Sequence, residues 1–134
     1  RIFAKKSRDI LQRMNDVIKS EIDKAVYADR IPVKTEDKIV LVPVNEVLFI
    51  EADKNYAVII LKDKSYRMRK TLNDLGKKLD PDVFIRVHRS YIINKTFVQE
   101  LEPTFNQEYI VKLSNNKKIP TGKAYKEYVN KLIK

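Results

Sequence analysis

Residues 86–94 combine cationic and hydroxyl side chains with an apolar run: Arg-Val-His-Arg-Ser-Tyr-Ile-Ile-Asn. The first six positions hold two arginines, the only histidine of the chain, a serine and a tyrosine, and two isoleucines follow. Guanidinium groups bind phosphate oxygens or guanine edges through paired hydrogen bonds, whereas aliphatic residues are usually buried. The pattern predicts a strand or turn that presents cations and hydroxyls to an anionic partner from a buried support.

The charge of the chain points the same way. Its 134 residues allow one domain with a short extension, and 28 basic against 18 acidic residues give a net charge of +10. Residues 1–28 account for +3 of this charge, which leaves +7 for the rest. The excess favours a polyanionic partner, namely DNA, RNA or an anionic membrane. The alternative is that the chain is one of many small basic proteins with no such partner.

Several classes of protein are disfavoured. Without cysteine, and with a single histidine, disulfides and the usual zinc and Cys–His sites are unavailable. Glu46, Glu51 and Asp53 are close in sequence but lack a recognised catalytic spacing, and there is no glycine-rich phosphate loop. We therefore predict no catalytic residues, no metal and no cofactor. No apolar run reaches the roughly 20 residues that span a bilayer, and no signal peptide appears, so we expect a cytoplasmic protein without a membrane partner.

Residues 7–28 predict one amphipathic helix. Ser7 is a candidate N-cap, and an apolar stripe recurs at helical spacing through Leu11, Met14, Ile18, Ile22 and Ala25. Because the chain does not begin with methionine, we interpret it as part of a longer protein. The helix would then link two domains and could contribute to a dimer. The alternative is that it packs as a helix of the following domain.

After Asp29 the pattern of apolar and polar residues predicts short strands separated by polar turns. Candidate strands cover residues 31–34, 38–42, 47–51, 57–61, 66–69, 109–113 and 118–119. Because the chain has only two glycines, its tight turns should rely on Asn and Asp, as at Asn115-Asn116.

Two short helices are expected among these strands. Thr71 should cap the first, whose apolar face carries Leu72, Leu75 and Leu79. A last helix should begin at Thr121 and turn five side chains inward: Tyr125, Tyr128, Val129, Leu132 and Ile133. Strands thus dominate, and no pair of helices has the short turn of a helix-turn-helix motif. If this chain binds DNA, it must do so from loops and strand ends.

The segment at residues 86–94 resembles the signature of the LytTR DNA-binding domains of bacterial response regulators. Further landmarks agree in order and spacing, namely residues 44–52, Asn55-Tyr56, Thr71-Leu72 and residues 119–121. The resemblance covers about residues 30–134. It implies a mainly β fold, an elongated arrangement of about ten short strands in small antiparallel sheets. It also implies a DNA-binding domain over residues 29–134, preceded by a linker helix over residues 1–28 that follows a receiver domain.

The resemblance also implies a function: sequence-specific binding of double-stranded DNA as the output domain of a two-component transcriptional regulator. Loops and strand ends would enter successive major grooves at paired or repeated sites. The implied partners are double-stranded DNA, a second copy of the chain on that DNA, an upstream receiver domain and a sensor kinase.

Within the signature, strand alternation would separate the side chains onto two faces unless a bend intervenes. One face would carry Arg86, His88 and Ser90, and the other Val87, Arg89 and Tyr91.

The resemblance places Arg89 in a groove as a reader of guanine and makes Arg86 and Ser90 phosphate contacts. The alternative for Arg86 is an ion pair with an acid such as Glu51. For His88 we favour a hydrogen-bonded structural role over a phosphate contact.

Two further regions carry candidate contacts. The first lies between the candidate strands at residues 47–51 and 57–61. There Lys54 would bind the DNA backbone, and Asn55 or Tyr56 could reach a base; the alternative is an ordinary solvated hairpin. In the second, Lys123 stands where family members often carry an arginine that reads a base, and lysine lacks the planar fork of that side chain. Its base contact therefore stays open beside a phosphate contact, and Thr121 and Lys126 are further phosphate candidates.

Two other binding functions compete with this interpretation. An RNA-binding or ribosome-associated basic β module would stack bases on aromatic side chains, and it would prefer single strands to duplex. A protein-interaction module would show little dependence of duplex binding on salt.

Overall fold

The computed structural model of the chain describes residues 27–133. Most of the predicted helix over residues 7–28 lies outside this range. That helix and the domain boundary after residue 28 therefore stay predictions. Among the described residues, no helix is both long enough and apolar enough to cross a bilayer.

Ten short strands and two short α-helices make up the described chain, which confirms the mainly β fold class. The strands are β1 (Arg30–Lys34), β2 (Ile39–Pro43), β3 (Phe49–Asp53), β4 (Tyr56–Ile60), β5 (Ser65–Met68), β6 (Phe84–His88), β7 (Tyr91–Asn94), β8 (Val98–Pro103), β9 (Tyr109–Leu113) and β10 (Lys118–Pro120). The helices are α1 (Leu72–Lys78) and α2 (Lys126–Ile133), and three single 3₁₀ turns cover Val44–Glu46, Lys95–Phe97 and Lys123–Tyr125.

The strands form three antiparallel sheets. Strands β1 and β2 pair alone, β5-β4-β3-β7-β6 form a central sheet, and β10-β9-β8 form a third. The outer strand β1 alternates between buried and exposed residues, whereas β3, β6 and β7 carry adjacent buried residues. Consecutive side chains of a strand point to opposite faces, so these three strands are covered on both sides.

Two apolar cores lie on the two faces of the central sheet. On β7, Ile92 belongs to the first core and its neighbour Ile93 to the second. The first core also takes in residues of β1, β2 and α1, and the second takes in residues of β9, β10 and α2. In β3, β6 and β7, where both faces are occupied, polar side chains can reach solvent mainly near the strand ends.

Helix α1 forms as predicted. The Thr71 side chain accepts a hydrogen bond from the Asp74 amide at 3.1 Å, which satisfies one of the free N–H groups of the first turn. The predicted apolar face is also confirmed, because Leu72, Leu75 and Leu79 are all buried in the first core.

The predicted start and inward face of the last helix are wrong in part. Thr121 lies outside the helix, which follows the 3₁₀ turn at Lys123–Tyr125. Val129 is buried, but Tyr128 and Ile133 are 48% and 54% exposed. Only a narrow stripe of an eight-residue helix can face the core, and at 3.6 residues per turn the residues beside that stripe rotate toward solvent.

Tight turns use asparagine less exclusively than expected. Asn116 adopts a left-handed conformation with φ 67°, as predicted for that hairpin. Two other left-handed positions, however, are Lys54 with φ 57° and Gln107 with φ 62°. At the β3–β4 turn the strained residue is therefore Lys54, next to the asparagine that the sequence favoured.

Asn94 ties the central sheet to the entry of β3. It is 1% exposed, its Nδ2 donates to the Val47 carbonyl at 2.9 Å, and its Oδ1 accepts the Thr96 amide at 3.0 Å. Both ends of the side-chain amide are thus satisfied, as a buried polar group requires.

Replacement of Asn94 by alanine should lower the free energy of unfolding by about 2–4 kcal/mol, because it removes two hydrogen bonds and leaves the Val47 carbonyl without its donor. Urea unfolding of the two chains measures the difference. Lys95→Ala is the control, since that neighbouring side chain is exposed, and we expect it to stay within about 0.5 kcal/mol of the unsubstituted chain. Equal stability of the Asn94 and Lys95 variants would contradict this role.

Candidate nucleic-acid interface

Three loops that carry the predicted contact residues meet at one end of the central sheet. They are the β3–β4 turn at Lys54-Asn55, the β6–β7 turn at Arg89-Ser90 and the segment 121–126 between β10 and α2. The Ala52 amide donates to the Ser90 carbonyl at 2.8 Å, which joins the first two loops. The third is joined to β6 through the Gly122 amide, which donates to the Val87 carbonyl at 2.8 Å.

The signature segment is a hairpin whose tip is Arg89-Ser90. Its strand alternation holds only from Arg86 to His88, with Val87 fully buried between them. The register of β6 against β7 shifts between Arg86 and His88, which marks a β-bulge. The chain then turns, so Arg89 stands exposed in the turn rather than on a strand face. Bulges of this kind re-aim side chains at the end of a sheet.

Arg86 holds this turn from the inside. Its Nε donates to the His88 carbonyl at 2.8 Å, and its Nη2 donates to the Arg89 carbonyl. Its Nη1 donates to Asn73 Oδ1 at 2.8 Å, and the guanidinium lies 5.5 Å from the ring centroid of Tyr125, within cation–π range. The described residues show no ion pair between Arg86 and Glu51. The guanidinium binds two backbone carbonyls and Asn73, and two of its five N–H groups remain for a phosphate, so the phosphate contact stays a prediction.

The His88 side chain is hydrogen-bonded within the turn, as its sequence environment favoured. Its Nδ1 accepts the Ser90 amide at 3.1 Å, and its ring centroid lies 5.6 Å from that of Tyr91. A Cβ at Gly122 would lie 3.5 Å from His88 Cδ2, so segment 121–126 packs closely on the imidazole. Since Nδ1 is the acceptor, the neutral ring carries its proton on Nε2.

Beside the β3–β4 turn lies a cation that the sequence interpretation missed. Arg67, on the neighbouring strand β5, forms an ion pair with Asp53, and its guanidinium lies 4.8 Å from the ring centroid of Tyr56. Asp53 alone would repel phosphate here, but the ion pair compensates its charge. One face of the Tyr56 ring is covered by this guanidinium, while Lys54 and Asn55 are exposed.

A signal for Arg67 was present in the sequence. Along β5, Tyr66 and Met68 are half-buried while Ser65 and Arg67 are exposed, and Arg69 follows as another exposed cation. Alternation of apolar and basic residues on an edge strand indicates an outward-facing basic row. Both side chains of the Arg67–Asp53 pair are about half exposed, so the pair orients the cation and contributes at most about 1 kcal/mol to stability.

In segment 121–126 the candidates separate into inner and outer residues. Thr121 is 4% exposed, and its Oγ1 accepts the Tyr109 amide at 2.9 Å. Its hydroxyl therefore supports the loop from inside. Lys123 and Lys126 are exposed, and Lys126 Nζ donates to Gln107 Oε1 at 2.9 Å.

Gln107 belongs to a fourth loop that the sequence analysis did not single out. This loop, Thr104–Glu108, connects β8 to β9 and reaches the segment 121–126 through Lys126. Asn106, Gln107, Lys123 and Lys126 line one shallow cavity of about 320 Å³ between the two loops. No periodic pattern marks a loop of this kind, so only the packing of β9 against β10 brings it to the interface.

Basic charge continues along α1, beside the Asn73 that binds Arg86. The pKa of Lys70 is lowered, first by its side-chain contact with Lys78 and then by partial burial, while Asp74 opposes the shift. Two ammonium groups are therefore crowded on this side of the domain.

Comparison with known proteins identifies relatives over most of the chain. The LytTr DNA-binding domain family matches residues 37–134. The sensory transduction protein LytT of Enterococcus faecalis is 35% identical over 111 residues, or 82% of this chain and 46% of that protein. The transcriptional regulatory protein LytR of Staphylococcus aureus is 33% identical over 101 residues, or 75% of this chain and 41% of that protein. The chain thus spans less than half the length of these relatives.

A solved structure has the same fold. A LytTr DNA-binding domain from Bacillus cereus superposes with a TM-score of 0.71 at 24% sequence identity, covering 79% of this chain and 97% of that domain. This likeness supports the arrangement of small antiparallel sheets that the resemblance implied.

Loss of the Arg86 side chain should loosen the β6–β7 turn. In Arg86→Ala we expect faster hydrogen exchange at the Ser90 and Ala52 amides, because the turn carbonyls lose their shared donor, and a loss of about 1–3 kcal/mol in unfolding free energy. Arg86→Lys should not restore slow exchange, since one ammonium cannot reproduce the planar fork. Arg67→Ala is the control. If the Ser90 and Ala52 amides exchange as slowly in Arg86→Ala as in Arg67→Ala, Arg86 does not stabilise the turn.

Proposed function

The chain belongs to the LytTr DNA-binding domain family, and from this membership we propose that it binds double-stranded DNA sequence-specifically. In this proposal it is the output domain of a bacterial transcriptional regulator. The observation that carries the proposal is the exposed turn of Arg89, held rigid by Arg86 between two lysine-bearing loops. A turn fixed before binding loses little conformational entropy when it enters a groove.

The proposal divides the exposed residues by role. Arg89 reads a base, since its guanidinium can donate to the O6 and N7 of guanine. Asn55 and Tyr56 are further base-contact candidates in their turn, and Lys123 is a candidate for either a base or a phosphate contact.

Phosphates would be held by the residues around these readers. Lys54 and Lys126 are exposed cations on the flanking loops, and the half-buried Ser90 sits within the turn. Contacts to phosphate fix the register of a protein on the duplex without reading sequence. Arg86, His88 and Thr121 support this edge from inside, because their hydrogen bonds go to the protein itself.

Partners of the longer protein are part of the same proposal. The curated relatives are about twice as long as the matched region, which leaves room for a receiver domain and, through it, control by a sensor kinase. A second copy on adjacent half-sites would account for paired binding sites, with both domains on one face of the duplex. In this proposal the domain binds DNA and catalyses no reaction, which agrees with a family named for DNA binding.

Selection of binding sites from a random duplex pool tests the proposal. The unsubstituted chain should enrich a defined motif, and Arg89→Ala should enrich the same motif with one position left free, because the lost contact is worth about 1–3 kcal/mol of discrimination. Lys95→Ala is the matched control. It removes one exposed positive charge at the opposite end of β7 and should keep the whole motif.

Two results would contradict the proposal. Salt-sensitive retention of DNA without any enriched motif would reduce the function to general polyanion binding. Tighter binding of single-stranded than of double-stranded nucleic acid would instead favour a base-stacking RNA module.

A further inference from the structure

Phe105 is the most exposed large apolar side chain among residues 27–133. It lies at the tip of the Thr104–Glu108 loop, and its side chain is fully exposed. Aromatic rings gain more than most side chains from leaving water. A fully exposed ring beside a candidate binding surface is therefore available to a partner.

The loop that carries Phe105 is tied down at its base and its side. The Thr104 amide and Oγ1 donate to the Glu108 carbonyl at 2.8 Å and 3.1 Å. Gln107 takes a left-handed conformation with φ 62°, and its Oε1 accepts Lys126 Nζ at 2.9 Å. These contacts fix the loop against segment 121–126, so Phe105 is presented beside the cations of that segment.

The surroundings of Phe105 decide the class of partner. No other large exposed apolar side chain of the described residues lies in this loop or in segment 121–126. A protein partner normally buries a continuous apolar patch, which is not found here. The neighbours are instead the exposed Lys123 and Lys126, and the one acid of the loop, Glu108, is half-buried. A lone ring beside two cations fits a ligand that offers flat apolar faces next to phosphates, which is nucleic acid.

We propose that Phe105 is a wedge that packs into a base step of the bound duplex and partly unstacks it, next to phosphates held by Lys123 and Lys126. This inference rests on the proposed DNA-binding function and adds a source of specificity to it. Apolar wedges open flexible steps more readily than stiff ones. Phe105 would therefore favour a deformable pyrimidine–purine step at a position that no hydrogen bond reads.

The test uses the full chain and the duplex that it enriches from the random pool, labelled with 2-aminopurine at successive positions. The unsubstituted chain should raise the fluorescence at one step, as unstacking does. Phe105→Ala should abolish that rise and weaken the affinity about tenfold, which corresponds to about 1.4 kcal/mol. Phe105→Leu should retain most of both effects, because leucine also serves as a wedge.

A charge-removing variant separates the wedge from phosphate binding. Phe105→Ala should leave the slope of log affinity against log salt unchanged, whereas Lys123→Ala should reduce it by about 0.9. Because Phe105 packs against nothing, Phe105→Ala should also keep the melting temperature of the unsubstituted chain, which shows that the variant is folded.

Three other outcomes would contradict the proposal that Phe105 acts as a wedge. Unchanged affinity and fluorescence in Phe105→Ala, while the unsubstituted chain binds the selected duplex, would overturn the wedge and leave the DNA function standing. Loss of self-association in sedimentation without any effect on DNA would assign Phe105 to contact with a second copy. Failure of the unsubstituted chain to bind any duplex would overturn the DNA function and the wedge together.

Discussion

Burial of both faces of strands β3, β6 and β7 is the constraint on which the functional edge depends. Strands β3, β6 and β7 have an apolar core on each side, so no face of theirs can carry polar side chains toward a ligand. Unpaired polar groups inside these cores would be costly. These three strands can therefore present cations to a ligand only near their ends, and three loops gather at one end, whereas the edge strand β5 also presents Arg67 from its exposed face.

A presenting loop must also hold its shape, and here one guanidinium stabilises the turn. Arg86 lies where β6 leaves the core, and it donates to the carbonyls of His88 and Arg89. Carbonyls at a tight turn lack partners from the sheet, so a charged donor satisfies them well. The two arginines of the signature thus differ in role: the half-buried one shapes the turn, and the exposed one remains available to a ligand. Residue type alone could not separate them.

Acidic side chains at the same end of the sheet are either paired or partly buried. Asp53 would repel phosphate, but its ion pair with Arg67 compensates that charge at the surface. Glu108 lies half-buried at the base of the fourth loop, while Lys123 and Lys126 face outward. The exposed charged residues of the converging loops, Lys54, Arg89, Lys123 and Lys126, are therefore all cations, although acids lie close to them. Such an arrangement raises the rate of encounter with a polyanion as well as its retention.

The sequence by itself determined the features that depend on neighbours a few residues apart. These include the strand-rich texture, the Thr71 cap, the apolar face of α1, the left-handed Asn116 and the signature that marks the family. Tertiary structure alone decided the roles of side chains whose partners are distant in the chain. Asn73 and Tyr125 contact Arg86, the Tyr109 amide donates to the Thr121 hydroxyl, and Lys126 donates to Gln107 in the loop of Phe105. Periodicity predicts the face on which a side chain lies, because that depends on local backbone geometry. It cannot predict which distant donor or acceptor meets that side chain, because the packing of separate strands and helices brings those groups together.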